Sequence, residues 1–172
     1  MHSVVVVYSR TGNTLKVAKV LAGMLGAELV QIGCGRRYDG AFGFLRGVVD
    51  SVLRRDPPIE VADVTAGPDD LVVIAAPMWA GRAAAPLTSF LARRPKSAGR
   101  VALVLTHGGS DPGKAFDEVE RQVGAPLLAR LAIREADVKA DRFADGLAEF
   151  VRRVRNRVED RLGVRWSWRH AA

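Results

Sequence analysis

The chain begins with Ser3-Val4-Val5-Val6-Val7-Tyr8, a nearly unbroken β-branched run that constrains the fold more than any other feature. A strand with one wet face alternates apolar and polar residues. A continuous apolar run marks a strand covered on both faces, as in a parallel sheet flanked by helices. The run is too short for a membrane span or an export segment, and it enters a polar loop directly, so no export signal is expected. Residues 14–25 then carry Leu15, Ala18, Leu21, Ala22 and Leu25 at helical spacing, with Gly26 placed to stop the helix.

The alternation continues to the end of the chain. Residues 27–32 read as a second strand, and the glycine-rich, basic stretch 33–43 reads as a loop. A short helix is predicted over 44–53, with Leu45, Val48, Val49 and Val52 on one side, closed off by Pro57 and Pro58. Residues 71–76 form a third strand ended by Pro77, and Pro86 starts a helix over 87–93. A fourth strand covers 101–106. A helix over 114–123 turns Phe116, Val119 and Val123 inward. Residues 127–133 are less apolar and suit a strand nearer an edge. The last helix, 141–162, carries Phe143, Leu147, Phe150, Val151, Val154, Val158 and Leu162 on one stripe. Strands alternating with helices imply an α/β fold: a doubly wound, five-stranded parallel sheet with helices on both faces.

At 172 residues, 48% hydrophobic and 26% charged, the chain suits a single globular domain and excludes a disordered one. The domain is expected to span 1–163, with 164–172 as a basic tail. Cys34 is the only cysteine, so neither an intrachain disulfide nor a redox dithiol is possible; a bystander thiol fits a reducing cytoplasm. His2, His107 and His170 are scattered and show no metal-ligand spacing. Ser9 and Ser110 lack the surroundings of a hydrolase nucleophile.

In open α/β sheets, ligands bind beyond the carboxyl ends of the strands. Three loops end strands on that side. The first, Ser9-Arg10-Thr11-Gly12-Asn13-Thr14, offers three hydroxyls, an amide, backbone N–H groups and a helix N-terminus. Those donors suit a phosphate, and Gly12 lets the backbone come close. The loop is neither a Walker P-loop nor a dinucleotide glycine fingerprint. The bland alternative is an ordinary helix cap, which needs one such residue rather than five polar residues in six.

Residues 4–14, VVVVYSRTGNT, closely resemble the phosphate-binding loop of flavodoxins. The resemblance covers residues 3 to about 162 and implies strand order 2-1-3-4-5, with FMN as cofactor and its phosphate on Ser9–Thr14. It also implies that two further loops flank the flavin ring. Pro77-Met78-Trp79-Ala80-Gly81-Arg82 would place a face of Trp79 on the ring, with Ala80-Gly81 as a peptide responsive to redox state; alternatively, Trp79 caps the core. Thr106-His107-Gly108-Gly109 lacks the aromatic that many flavodoxins have there, so one side of the ring is expected to be open. Gly108 and Gly109 would offer N–H groups to the flavin's polar edge, and His107 is either a ring or substrate contact or simply surface.

The net charge of +7 departs from the acidic balance of familiar electron-transfer flavodoxins. Positive charge from Arg10 and Arg82 near the ring is expected to make the flavin's potential less negative, and reversing both to Glu should lower it. Arg152, Arg153, Arg155, Arg157, Arg161, Arg165 and Arg169, with Trp166 and Trp168, crowd the last helix and tail. They form a solvated or oligomer-contact face, as in a homodimer, or a patch for anionic membrane lipid. No nucleic-acid-reading motif accompanies them. The resemblance implies an FMN redox protein, either an electron carrier paired with a protein partner or an oxidoreductase working between NAD(P)H and a quinone-type acceptor. The rival reading is a flavodoxin-like scaffold that holds no stable flavin and acts as a binding or regulatory module.

Overall fold

A computed structural model describes residues 2–36, 38–62, 64, 66–93 and 100–162. Along the chain its elements are β1 (Ser3–Val7), α1 (Asn13–Leu25), β2 (Glu28–Gln31), β3 (Gly33–Cys34), α2 (Gly40–Val52) and β4 (Ile59–Glu60). There follow β5 (Leu71–Trp79), β6 (Arg82–Ala83), α3 (Ala85–Arg93), β7 (Arg100–His107), α4 (Gly113–Val123), β8 (Arg130–Arg134), α5 (Glu135–Lys139) and α6 (Ala144–Leu162).

The main sheet runs β2-β1-β5-β7-β8, and these five strands pair in parallel. Counted among themselves, they have the expected order 2-1-3-4-5. β8 is the edge strand, as its weaker apolar content predicts, but it covers Arg130–Arg134 and not 127–133. Side chains alternate strictly across the sheet. Val4, Val6, Val72, Ile74, Leu103 and Leu105 pack with Leu87, Phe90, Phe116 and Val119 of α3 and α4. Val5, Val7, Val73, Ala75 and Val104 pack with Val17, Leu21, Leu147 and Val154 of α1 and α6. All four valines of β1 are buried, each contributing about 1.5–3 kcal/mol. Gly26 closes α1 in the left-handed conformation, as its place in the sequence predicts.

Three expectations need correction. First, Pro77 does not end the third strand: β5 continues through Pro77 and Met78 to Trp79. Pro77 lies past the last β1 pair, Val7 with Ala75, so its missing N–H breaks no ladder bond to β1. Second, the stretch 33–43 is not all loop, because Gly33–Cys34 pairs antiparallel with Ile59–Glu60 and α2 begins at Gly40. Third, the final helix starts at Ala144, with the short α5 in front of it.

Helix α2 also buries an unexpected face. Gly47, Asp50 and Ser51 point inward, whereas Leu45, Val49 and Val52 are exposed and Phe42 is 92% exposed. Ser51 Oγ accepts a hydrogen bond from the Ala85 amide (3.1 Å), which ties α2 to the start of α3. Gly47 sits against the Trp79 ring, where a Cβ would come within 2.8 Å of the indole. That ring is itself held edge-on by Tyr8 and Tyr38, at 5.7 and 5.2 Å between centroids. Gly47→Ala is therefore expected to push α2 off the sheet and cost about 1–3 kcal/mol, seen as a lowered denaturation midpoint. An unchanged midpoint would show that the contact is loose.

Candidate functional site

The three predicted loops meet at one edge. β1, β5 and β7 are parallel neighbours, so residues 8–14, 80–81 and 108–111 all lie beyond their carboxyl ends, with His107 closing β7. The first loop is shaped by Gly12, whose φ of 89° is left-handed and strained for any residue with a Cβ. The Gly12 amide donates to Ser9 Oγ (3.2 Å), and the Gly12 carbonyl accepts from the Lys16 amide (2.9 Å). No side chain caps the N-terminus of α1, and no acidic residue occupies its first turn. The first-turn N–H groups have no intrahelical acceptor, so this end carries a partial positive charge available to an anion.

The hydroxyls of the loop divide into two kinds. Thr14 is buried and its Oγ1 lies 2.7 Å from Thr106 Oγ1, a buried link between α1 and the end of β7. Its role is to fix the loop on the sheet. Thr11 is exposed and Asn13 is half-buried, so these two side chains, with Ser9, face the open edge. Arg10 lies over the Phe44 ring at 5.1 Å. Phe44 was not among the expected site residues: its spacing marks it only as helical, and nothing local says that α2 folds back onto the first loop.

The second loop is a two-residue hairpin. Met78 pairs with Ala83 and Trp79 with Arg82, while Ala80 (φ 50°) and Gly81 (φ 74°) both have positive φ. A tight hairpin matching the twist of its strands demands that conformation at both positions, which makes Ala80 the strained one. Trp79 is only 3% exposed and packs against Tyr8, Tyr38 and Gly47, the core-capping arrangement. Arg82 is engaged by Glu118 of α4 and so is not a free charge at the edge. Pro77 and Met78 are buried within β5.

In the third loop, His107 is 8% exposed and not a surface residue. Its Nδ1 is buried with no hydrogen-bond partner among the described residues. An orphaned buried nitrogen costs about 1–3 kcal/mol, and here it belongs to the last residue of β7, next to the third loop. Around it the edge is open. A Cβ built on Gly12, Gly81, Gly108 or Gly109 would meet nothing within 4 Å. An uncapped helix end and open glycines on three loops thus share one edge with a buried histidine, an arrangement with donors for an anion and room for a flat ligand.

A second polar node holds the inserted segment. Asp50 is fully buried and accepts from Arg36 Nη1 and the Tyr38 hydroxyl, both at 2.9 Å, and from Arg55 Nη1 at 3.3 Å. Burial opposes its charge, but the bonds from Arg36 and Tyr38 outweigh it and hold the carboxyl below its ordinary range. Burial, and then the Asp50 bond, push the Tyr38 phenol up. Burial is also the main reason why the Cys34 thiol is raised, which keeps it protonated and unreactive.

The basic stripe of α6 is partly spoken for. Arg155 Nη2 donates to the Met24 carbonyl (2.7 Å) and Arg157 Nη1 to the Leu128 carbonyl (2.8 Å), while Arg153 is engaged by Glu149. The tail, with Arg165, Arg169, Trp166 and Trp168, lies outside the described residues, as do the side chains of Arg161 and Leu162. Among the described residues no helix is long and apolar enough to cross a membrane, and no His/Cys/Asp/Glu group is placed to hold a metal.

Because Asp50 titrates lower folded than unfolded, its contribution is fully present above the ordinary carboxylate value, about 4, and is lost as pH falls through the folded value. Asp50→Asn is expected to lose about 1–3 kcal/mol at neutral pH. Its stability should also fall less steeply on acidification than the wild type's in urea titrations between pH 6 and 3. Parallel pH profiles would remove Asp50 from the account.

Solved structures share this architecture. A flavoprotein from Lactobacillus acidophilus NCFM, crystallised in complex with FMN, superposes with TM-score 0.66 at 21% identity, over 83% of this chain and 98% of that one. Two Bacteroides proteins, provisionally described as flavoproteins, are also similar. The one from B. eggerthii DSM 20697 gives TM-score 0.63 at 21% identity, over 86% and 98%; the one from B. uniformis ATCC 8492 gives 0.66 at 17%, over 84% and 97%. No protein-family model and no curated protein matches the chain. The fold is flavodoxin-like.

Proposed function

We propose that the chain is an FMN-binding redox protein whose cofactor lies along the carboxyl edge of the sheet. One observation carries this reading: the uncapped, acid-free start of α1 shares the carboxyl edge of the sheet with the open Gly108-Gly109 loop. The backbone amides of the first turn, with Ser9, Thr11 and Asn13, would hold the phosphate, and Arg10 adds a positive charge beside them. His107 and the amides of Gly108 and Gly109 would meet the polar rim of the ring. Trp79 would support the Ala80-Gly81 hairpin from below instead of stacking on the ring, since it is buried among Tyr8, Tyr38 and Gly47.

Bound FMN supplies hydride and single-electron transfer; the chain supplies position, charge and exclusion of water. Arg10 remains a source of the field that would make the potential less negative, whereas Arg82 is offset by Glu118. The redox partner would be a protein in the carrier role, or NAD(P)H and a quinone-type acceptor in the enzyme role. One observation favours the scaffold reading instead: neither Trp79 nor the His107-Gly108-Gly109 loop offers an exposed aromatic face to a flavin.

Titration with FMN and with riboflavin, followed by flavin fluorescence, separates the two. FMN is expected to bind at least about tenfold tighter than riboflavin, because the phosphate gains charge-assisted bonds at the loop. Thr11→Glu places a carboxylate at an exposed loop position and should abolish that difference. Equal affinity for the two flavins would overturn the phosphate assignment, and no binding of either would leave the scaffold reading.

A further inference from the structure

A cavity with several charged side chains on its wall lies away from the loop that begins α1. It holds about 360 Å³, within the range of small-molecule sites, and is walled by the end of α2, by β6, and by α3 and α4. Arg54, Arg55, Arg82 and Arg121 line it together with Glu118 and the floor residue Ser89. Among the described residues Asp56 is the only other acidic group on the wall, and it is also paired with Arg93 (3.4 Å).

The positive charge here is incompletely answered. Glu118 Oε1 serves two arginines, receiving Arg54 Nη2 at 3.0 Å and Arg82 Nη1. Arg55 reaches Asp50, but Asp50 is shared with Arg36. Arg121 donates its Nε to the Asp117 carbonyl (3.2 Å) and pairs with no carboxylate among the described residues. Four guanidinium groups and two carboxylates therefore line one concave surface, and Asp50 behind it answers Arg55 while also serving Arg36. At the floor, Ser89 is 2% exposed, and its Oγ has no partner among the described residues. A solvated surface cluster explains neither the concavity nor the orphaned hydroxyl.

We infer that this cavity binds a phosphate-bearing small molecule. A phosphate group is dianionic near neutral pH and has several acceptor oxygens, so it can take forked bonds from two guanidinium groups at once. Its charge matches the local excess. The inference does not rest on the flavin reading, because the lining side chains belong to α2 and the turn that follows it, to β6, and to α3 and α4, and none to the Ser9–Thr14 loop.

The test is calorimetric titration of the full chain with inorganic pyrophosphate, in a Thr11→Glu background that silences the loop at α1. One saturable site is expected. Adding Arg54→Gln and Arg121→Gln should weaken it at least about tenfold. Neither change unpairs a buried acid, because Glu118 keeps Arg82. Lys19→Gln with Lys139→Gln removes the same charge elsewhere and should change affinity less than about twofold. Absence of a saturable site, or equal weakening in the two double variants, would overturn the inference. Acetate binding as tightly as pyrophosphate would overturn the phosphate assignment. Failure of FMN to bind the unmodified loop would leave this result unaffected.

Discussion

A strand covered on both faces has nowhere to put a polar residue except at its ends. Val4 to Val7 occupy two cores at once, alternate side chains going to opposite faces, so β1 turns polar only where it leaves the sheet. β5 and β7 obey the same rule. Because the three run parallel and adjacent, their polar exits gather on one edge. The site is in this sense a consequence of the core: the more completely the strands are buried, the more sharply chemistry is confined to Ser9–Thr14, Ala80-Gly81 and His107–Asp111.

Two buried polar links then fix what the strands only bring near. The Thr14–Thr106 hydroxyl pair joins the start of α1 to the end of β7, so the first and third loops keep a fixed relation. Asp50 gathers Arg36, Tyr38 and Arg55, holding the insertion between β2 and β5 against the sheet. Tyr38 in turn braces Trp79, on which the Ala80-Gly81 hairpin rests. The positive φ of Ala80 is strain that this packing sustains.

The strands and most helices were legible because periodicity records burial directly: Val4–Val7, Leu71–Ala76 and the stripe from Phe143 to Val158 all lie where their patterns place them. The first loop was legible for the same reason, as an abrupt polar interval between two strong patterns. The failures are non-local. Pro77 reads as a strand ending, and only the stopping point of its neighbour β1 makes it tolerable within β5. On α2 the apolar residues imply the wrong inward face, since Asp50 and Ser51 are drawn in by partners distant in sequence. Trp79 reads either way from sequence, because Gly47 and Tyr38, which enclose it, are distant along the chain. His107 reads either as a ring or substrate contact or as surface, and its burial depends on the whole strand stack.

The central claim is that one edge of the sheet, with the N-terminus of α1 as its anion-holding corner, receives a flat phosphate-bearing cofactor. The most direct measurement is a ¹H–¹⁵N correlation spectrum of the flavin-free chain during addition of FMN. The account predicts saturable shifts concentrated at the amides of residues 9–14, 80–81 and 107–111, with Gly12 and Asn13 among the largest. Shifts centred on Arg54, Ser89 and Arg121 instead, or none along the carboxyl edge, would contradict it.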